Sequence, residues 1–199
     1  MSAAVVKYDG GMGRWEPNAR GRLEQAALQL YVERGFEQTT VAEIARQAGL
    51  TERTFFRHFA DKREVLFWGA GALQELVVRA VASAPASAAP IDAVAAALGA
   101  AGAALQERRD GARQRHAVIA ANVELQEREL KKLAALAAAM AEALRQRGVP
   151  EPSASLAAEA GIAVFRIAFA RWINEADSRD FSQVIRESLD ELTAVIAGR

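Results

Sequence analysis

The sequence predicts an all-α protein of about nine helices. The 199-residue chain is rich in alanine, the residue with the highest helix propensity, and it contains only 5 prolines. Apolar residues recur at helical spacing, and no stretch alternates apolar and polar residues for long enough to indicate a strand. We expect three parts: a flexible arm over residues 1–16, a small helical domain over residues 17–66, and a larger helical bundle over residues 67–199.

The composition excludes several classes of protein. The 25 basic and 25 acidic side chains cancel, so no overall charge draws the chain to nucleic acid or anionic lipid. The absence of cysteine excludes disulfides and thiolate chemistry. The longest charge-free stretch, Ala93 to Leu105, is too short and too alanine-rich to span a bilayer. Residues 1–13 lack the plan of a signal peptide, so we expect a soluble, cytoplasmic protein without a membrane partner.

The first three predicted helices are closely spaced. Helix 1 is expected over residues 18–34, where leucines and alanines repeat on one face. Thr40 and Glu43 have the spacing of a capping box, which opens a second helix. Gly49 ends that helix, and a third helix follows almost at once over residues 51–59.

The later predicted helices are longer. Asp61 and Glu64 form a second capping-box pattern, so a fourth helix is expected to begin there and continue to about Ala82. The small-residue segment 83–90 is the clearest loop inside the chain. The remaining helices are expected near residues 92–107, 112–121, 123–147, 154–176 and 181–197.

Residues 40–59 have the layout of a helix-turn-helix. At about 100° per residue, the third helix places Arg53, Thr54 and Arg57 on one face and Phe55 and Phe59 on another. A helix that binds in the major groove needs one face packed against its own domain and an opposite face with hydrogen-bonding side chains. The phenylalanines provide the packed face, and an arginine on the other face can donate two hydrogen bonds to a guanine base. The alternative is an ordinary amphipathic helix whose polar face meets only water.

Residues 40–66, TVAEIARQAGLTERTFFRHFADKREVL, resemble the DNA-binding signature of the TetR family of bacterial repressors. With helix 1 included, the resemblance covers about fifty residues of the domain. It implies a helix-turn-helix that binds double-stranded DNA. The candidate DNA-binding residues are Thr40, Thr51, Arg53, Thr54, Phe56, Arg57, His58 and Lys62.

The resemblance also implies individual roles. Thr40 would contact a phosphate at the start of the second helix, and the polar face of the third helix would contact base edges. His58 would contact a phosphate, as would Lys62 in the first turn of the fourth helix. Phe56 stands where the family commonly has a tyrosine that bonds a phosphate, so that contact is lost here.

The resemblance implies a small-molecule effector held among helices 4 to 8. Our candidates for lining its pocket are Trp68, His116, Ile119, Met140, Phe165 and Arg166, each of which has core or surface as its alternative. Residues 122–132 are similar to actinobacterial members of the family, including mycofactocin-system regulators thought to sense acyl-CoA. A capped helix start at Asn122 would explain the same pattern. Five arginines would attract a ligand phosphate or simply keep the surface soluble: Arg108, Arg109, Arg113, Arg115 and Arg128.

The last two predicted helices carry apolar stripes. The resemblance implies that they pair with those of a second copy, in a four-helix homodimer interface. A core stripe inside one subunit is the alternative. The candidate interface residues are Phe169, Trp172, Val184, Leu189, Leu192 and Ile196.

The sequence therefore predicts a ligand-responsive, homodimeric repressor that binds a palindromic operator in the bacterial nucleoid. Its effector is an acyl-CoA or another hydrophobic compound that swings helix 4 and releases the DNA. We expect no enzymatic activity, cofactor or metal, because the chain has no Cys, 2 His and no glycine-rich phosphate loop. The alternative is a helical protein-interaction module without DNA binding.

Overall fold

The computed structural model describes residues 18–175 and 179–198. The predicted arm over residues 1–16 lies outside these residues. Within them the all-α prediction is confirmed: nine α-helices are present and no strand. They are α1 (Ala19–Arg34), α2 (Val41–Gln47), α3 (Glu52–His58), α4 (Ala70–Ser83), α5 (Pro90–Gln106), α6 (Arg109–Ala120), α7 (Val123–Gln146), α8 (Ser153–Asn174) and α9 (Phe181–Ile196).

The starts of the first helices are set by side-chain caps. The Asn18 side chain accepts a hydrogen bond from Gly21 N at 3.0 Å and opens α1. Thr40 and Glu43 form the predicted capping box of α2, with each side chain bonded to the other residue's backbone N–H. Thr51 accepts from Thr54 N at 3.2 Å and opens α3. These caps supply partners to N–H groups that have none inside the helix.

The fourth helix starts later than predicted. Asp61 does accept a hydrogen bond from Glu64 N at 2.9 Å, but a short 3₁₀ helix, Glu64–Leu66, follows instead of an α-helix. Phe67 then leaves helical geometry with a ψ of 0°, and α4 begins at Ala70. The three consecutive side chains of residues 65–67 are all buried, so this segment is fixed by packing although it is not α-helical.

The start of α6 also differs from the prediction. A break was expected at Arg109, Asp110 and Gly111, yet all three residues lie inside α6. The Arg109 side chain crosses to the end of α8 and donates from Nε to Trp172 O at 3.0 Å. This tertiary contact stabilises a first turn that the sequence alone does not favour.

Two hydrophobic clusters form the interior. The N-terminal cluster joins α1, α2, α3 and residues 65–67 with Val118, Ile119 and Leu125 from α6 and α7. The C-terminal cluster fills the bundle of α4, α5, α7, α8 and α9. Gly102 lets α5 and α9 approach closely, because a Cβ there would lie 3.1 Å from the backbone Cα of Ser182.

Two helical stretches are long and apolar enough by composition to cross a bilayer, Glu64–Ser83 and Ser153–Asn174. The first is not one α-helix, because its helical geometry is interrupted before Ala70. The second, α8, contributes ten buried residues to the interior, including Phe165 and Trp172. Core helices meet the same compositional criterion, and α8 is one of them.

Candidate nucleic-acid interface and effector cavity

The α3 helix is fixed by its aromatic face. Phe55 is 0% exposed and Phe59 is 2% exposed, and their ring centroids lie 5.5 Å apart in the N-terminal cluster. The opposite face carries Arg53 and Arg57, both exposed. Neither guanidinium has an ion-pair partner among the described residues. The helix thus presents two unpaired cations and the half-buried Thr54 on one outward surface.

Phe56 extends this outward surface with an apolar ring. It is 56% exposed, although its edge contacts the buried ring of Phe55 with centroids 5.4 Å apart. Such exposure of a phenyl ring costs hydrophobic free energy unless a partner covers it. The ring is placed to contact the same partner as the two arginines.

The start of α2 is occupied by its own capping box. The Thr40 hydroxyl donates to Glu43 Oε2 at 2.9 Å and accepts from Glu43 N at 3.2 Å. The Thr40 backbone N–H, which donates to Glu43 Oε2 at 2.9 Å, lowers the pKa of the Glu43 carboxyl, as do the hydroxyl bond and the charges of Arg34 and Arg46. A phosphate at this end would meet a negative carboxylate beside the backbone N–H groups.

His58 is half-buried at the end of α3. Its Nε2 atom is buried and has no hydrogen-bond partner in the part of the chain that the structure describes. Burial, Arg57 and Arg20 together lower the pKa of His58 below its ordinary value of 6.5. The neutral ring is therefore favoured at neutral pH, which weakens the phosphate contact predicted for it.

The phosphate contact predicted for Lys62 is not supported by the structure. The ammonium group lies before the 3₁₀ helix and donates to the carbonyl oxygens of Phe36, Glu37 and Thr39 at 2.8, 3.1 and 3.0 Å. It also lies 4.4 Å from the centre of the Phe36 ring. Because an ammonium has three hydrogens, these bonds use all of its donors. Lys62 instead holds the loop that leads into α2.

A cavity of about 1220 Å³ lies between the N-terminal cluster and the bundle. Residues from α1, residues 65–69 and helices α4 to α8 form its wall. Four of the six predicted lining residues contact it: Trp68, His116, Phe165 and Arg166. The ring of His116 meets Phe169 edge-on at 5.9 Å, and Arg20 covers Trp68 at 5.3 Å.

The other two predicted lining residues were wrong. Ile119 is 1% exposed and packs in the N-terminal cluster, because α6 continues past the cavity toward α1. Met140 is 0% exposed within the C-terminal cluster, where it fills the space beside Gly161. Both are core side chains, the alternative that the sequence left open.

Sequence reasoning missed much of the cavity's charge. Five cationic side chains and two carboxylates line it: Arg79, Arg108, Arg115, Lys132, Arg166, Glu24 and Glu129. Arg115 was among the five arginines considered for a ligand phosphate, as was Arg108. Repeating leucines on α4 and α7 beside Arg79 and Lys132 were the available signal for the others.

The predicted dimer residues divide into inner and outer groups. Trp172 and Val184 are 0% exposed, so those two predictions were wrong for contact with a second copy. Phe169 is half-buried and lines the cavity, and its place in an interface stays a prediction. Leu189 and Leu192 are partly buried against the C-terminal cluster, whereas Ile196 is 77% exposed. Exposed apolar residues that the sequence analysis missed are Leu156, Ile167 and Val195.

The described residues contain no group of three or more histidine and acidic side chains placed to hold a metal ion. Several acidic side chains are instead paired with arginines. Arg179 provides an example, with its guanidinium 2.6 Å from Glu175 and 2.9 Å from Glu187.

Comparisons with known proteins cover both parts of the chain. Residues 24–67 match the model for bacterial regulatory proteins of the tetR family. Residues 88–197 match the model for the MftR C-terminal domain. The second match spans more than half of the chain and includes most of the cavity-forming helices.

Individual relatives agree with these two matches. TcmR of Streptomyces glaucescens, an HTH-type transcriptional regulator, is 40% identical over 92 residues, which are 46% of this chain and 39% of that protein. MftR of Mycobacterium tuberculosis, named for mycofactocin biosynthesis, is 31% identical over 64 residues, 32% of each chain. The chain thus spans only about a third of the length of these relatives where it matches them.

A solved structure shares the whole fold. The transcriptional regulator FadR of Bacillus subtilis, in complex with stearoyl-CoA, superposes with a TM-score of 0.63 and covers 86% of this chain and 96% of that one. The identity is 19%, so the similarity concerns the fold.

Proposed function

Because the chain belongs to the TetR family of bacterial regulatory proteins, with a C-terminal domain of the MftR type, we propose that it is a ligand-responsive transcriptional repressor. It binds a palindromic operator as a homodimer, and a hydrophobic effector releases it. The observation that carries this proposal is the α3 helix, which is anchored by buried aromatic rings and turns outward two arginines that have no ion-pair partner among the described residues.

The proposed DNA contacts follow from this exposed surface. Arg53 and Arg57 are long enough to reach guanine O6 and N7, and Thr54 completes the polar face of α3. Thr51 caps α3, and the backbone N–H groups of that first turn would meet a phosphate. Thr40 would contact a phosphate at the start of α2, where the phosphate shares the first-turn N–H groups with the Glu43 carboxylate. Phe56 contacts sugar or a thymine methyl group. Lys62 acts indirectly, since it positions the loop before α2.

The proposed effector occupies the cavity of about 1220 Å³. Its wall combines aromatic and aliphatic side chains with an excess of cations, which suits a molecule with an apolar tail and an acidic group. Long-chain acyl-CoA has this chemistry, and the similarity to the FadR fold and the MftR domain supports it. Trp68, Phe165 and Phe169 contact the tail, whereas the acidic group is bound by the cations of the wall, among them Arg108, Arg115, Lys132 and Arg166.

The proposed homodimer forms through the outer face of α8 and the end of α9. Leu156 is 67% exposed, and Ile167, which is 56% exposed at the edge of the cavity, lies eleven residues later on the same side of α8. Val195 and Ile196 extend the apolar surface at the end of α9. Two copies would place their α3 helices in successive major grooves, about 34–36 Å apart.

The proposed organisation keeps the predicted division into an arm (1–16), a DNA-binding domain (17–66) and a ligand-binding and dimerisation domain (67–199). The protein acts on DNA in the cytoplasm and nucleoid, and it performs no enzymatic reaction.

An operator can be obtained by selecting random duplexes on the purified full-length protein. Fluorescence anisotropy with the selected duplex then compares wild type with Arg53→Ala, Arg57→Ala and the control Arg145→Ala, whose residue lies at the end of α7. We expect each α3 variant to weaken binding about 10-fold or more and the control to bind as wild type. Failure to select any duplex would favour the helical interaction module instead.

A further inference from the structure

Phe67 lies at the junction of the two clusters, between two arginines. Its side chain is 2% exposed. The guanidinium carbon of Arg115 lies 5.0 Å from the ring centre, and that of Arg128 lies 5.8 Å from it. Both distances are within the range of cation–π attraction. Since Arg115 is on α6 and Arg128 is on α7, two bundle helices hold one ring of the segment that follows the helix-turn-helix.

Polar contacts fasten the same segment. Arg115 donates from Nε to Leu66 O at 2.6 Å and from a terminal nitrogen to Glu129 at 2.9 Å. Arg128 forms an ion pair with Glu64. Lys132 Nζ lies 3.5 Å from the same Glu64 carboxylate. We name this set the clasp: Glu64, Leu66 and Phe67 held by Arg115, Arg128, Glu129 and Lys132.

The clasp also forms part of the cavity wall. Leu66, Phe67, Arg115, Glu129 and Lys132 all line the cavity. An occupant at this end therefore contacts side chains that hold the 3₁₀ helix. An acidic group there would compete with the Glu64 carboxylate and the Leu66 carbonyl for the same cationic donors.

The expected route through helix 4 is less direct in this fold. The α4 helix begins at Ala70 and is separated from the 3₁₀ helix by residues 67–69, so it is not continuous with the helix-turn-helix. By contrast, α6 reaches the N-terminal cluster itself, where Val118 and Ile119 are buried. The contacts from the cavity to the helix-turn-helix therefore run through α6 and α7, in addition to α1 and residues 65–69, which line the cavity directly.

We propose that the clasp, with Arg115 as its positioning residue, transmits occupancy of the cavity to the DNA-binding helices. This inference rests on the proposed function and names the regulatory element of the same site. With the cavity empty, the clasp fixes the helix-turn-helix against the bundle. An occupant that draws Arg115 or Lys132 away opens the clasp, and the ligand acts through its greater affinity for the open state.

The test measures the position of the helix-turn-helix without DNA. Because the chain has no native cysteine, spin labels can be attached at Glu52→Cys on α3 and Ala96→Cys on α5, both exposed positions. Dilution with unlabelled full-length protein leaves only distances within one chain for pulsed dipolar spectroscopy. The labels are placed in wild type, Arg115→Ala, Arg128→Ala and the control Arg113→Ala. Arg113 lies on α6 but donates to Ile173 O at 2.7 Å.

We expect Arg115→Ala and Arg128→Ala to give distance distributions at least about twice as wide as that of wild type, with Arg113→Ala unchanged. Thermal melts identify any variant that does not fold. If one of the two clasp variants is unfolded, the distance distribution of the other one tests the proposal. Narrow distributions in both clasp variants, or equal broadening in Arg113→Ala, would overturn the proposal.

Stearoyl-CoA is then added to wild type as the probe. We expect it to broaden the distribution of spin-label distances to a width similar to that of Arg115→Ala. Binding of stearoyl-CoA without such a broadening would also overturn the clasp. Absence of binding would count against the proposed effector class, and the ligand-free arms would still decide the clasp.

Discussion

Phe55 and Phe169 show how differently the two parts of the molecule use large side chains. Phe55 is 0% exposed in a filled cluster, and its burial holds α3 in one orientation. Phe169 borders a cavity of about 1220 Å³, with neighbours on one side and space on the other. The exposed face of α3 is thus held in place by a fully packed cluster, whereas the proposed effector cavity exists because the side chains around it leave space unfilled.

The largest expected effect tests this difference directly. Phe55→Ala should lower the free energy of unfolding by about 3–5 kcal/mol, since it creates a cavity in a filled cluster. Phe169→Ala should cost about 2 kcal/mol less, because part of its surface already faces empty space. Urea denaturation of the full chain measures both. Equal losses would show that the cavity is closed in solution.

Next in size is the effect on the proposed dimer. Leu156→Glu places a charge in the apolar face of α8, and sedimentation velocity should show a dimer dissociation constant raised about 100-fold. Val123→Glu is the matched control, since Val123 is 71% exposed on α7, away from that face. If Leu156→Glu remains as dimeric as wild type, the outer face of α8 is not the interface.

A smaller gain is expected from restoring the hydroxyl that α3 lacks. Phe56 is exposed, so Phe56→Tyr places a phenol where a phosphate is expected and should tighten operator binding about 5-fold. Phe56→Leu keeps an apolar side chain and should give no gain. The two variants are compared by anisotropy on the selected duplex. Unchanged affinity for Phe56→Tyr would mean that no phosphate lies near this ring.

The smallest effect concerns His58. Its folded-state pKa is lowered by burial, Arg57 and Arg20, so the unfolded chain takes up a proton at a higher pH than the folded chain. Stability should therefore fall as the pH drops through the ordinary histidine value of 6.5. Urea unfolding between neutral and mildly acidic pH should show a shallower dependence for His58→Gln. The same slope in both proteins would mean that His58 does not contribute.

The geometry of the proposed DNA-binding surface was predictable because its signals are local. The caps at Thr40 and Thr51 and the spacing of Phe55 and Phe59 each involve residues within one or two helical turns. Helical periodicity alone placed Arg53 outward. The role of Lys62 was not predictable in this way, since its carbonyl partners lie more than twenty residues earlier in the chain.

The cavity and the interface needed tertiary structure. Met140 and Phe165 have similar apolar surroundings in sequence, yet one is enclosed in the core and the other meets the cavity. The stripe on α8 contained both Trp172 and Phe169, and only the arrangement of the helices shows that neither faces outward. The periodicity of apolar residues identifies the buried face of a helix, but it does not show whether that face packs against the core, a cavity or a second copy of the chain.

The most direct test of the account titrates the wild-type protein, bound to its selected operator, with stearoyl-CoA. Anisotropy of the labelled duplex and calorimetry of the acyl-CoA are measured on the same preparation. The account predicts that acyl-CoA binds at one site per chain and weakens operator binding about 10-fold or more. Operator affinity that stays the same while the acyl-CoA site fills would contradict it.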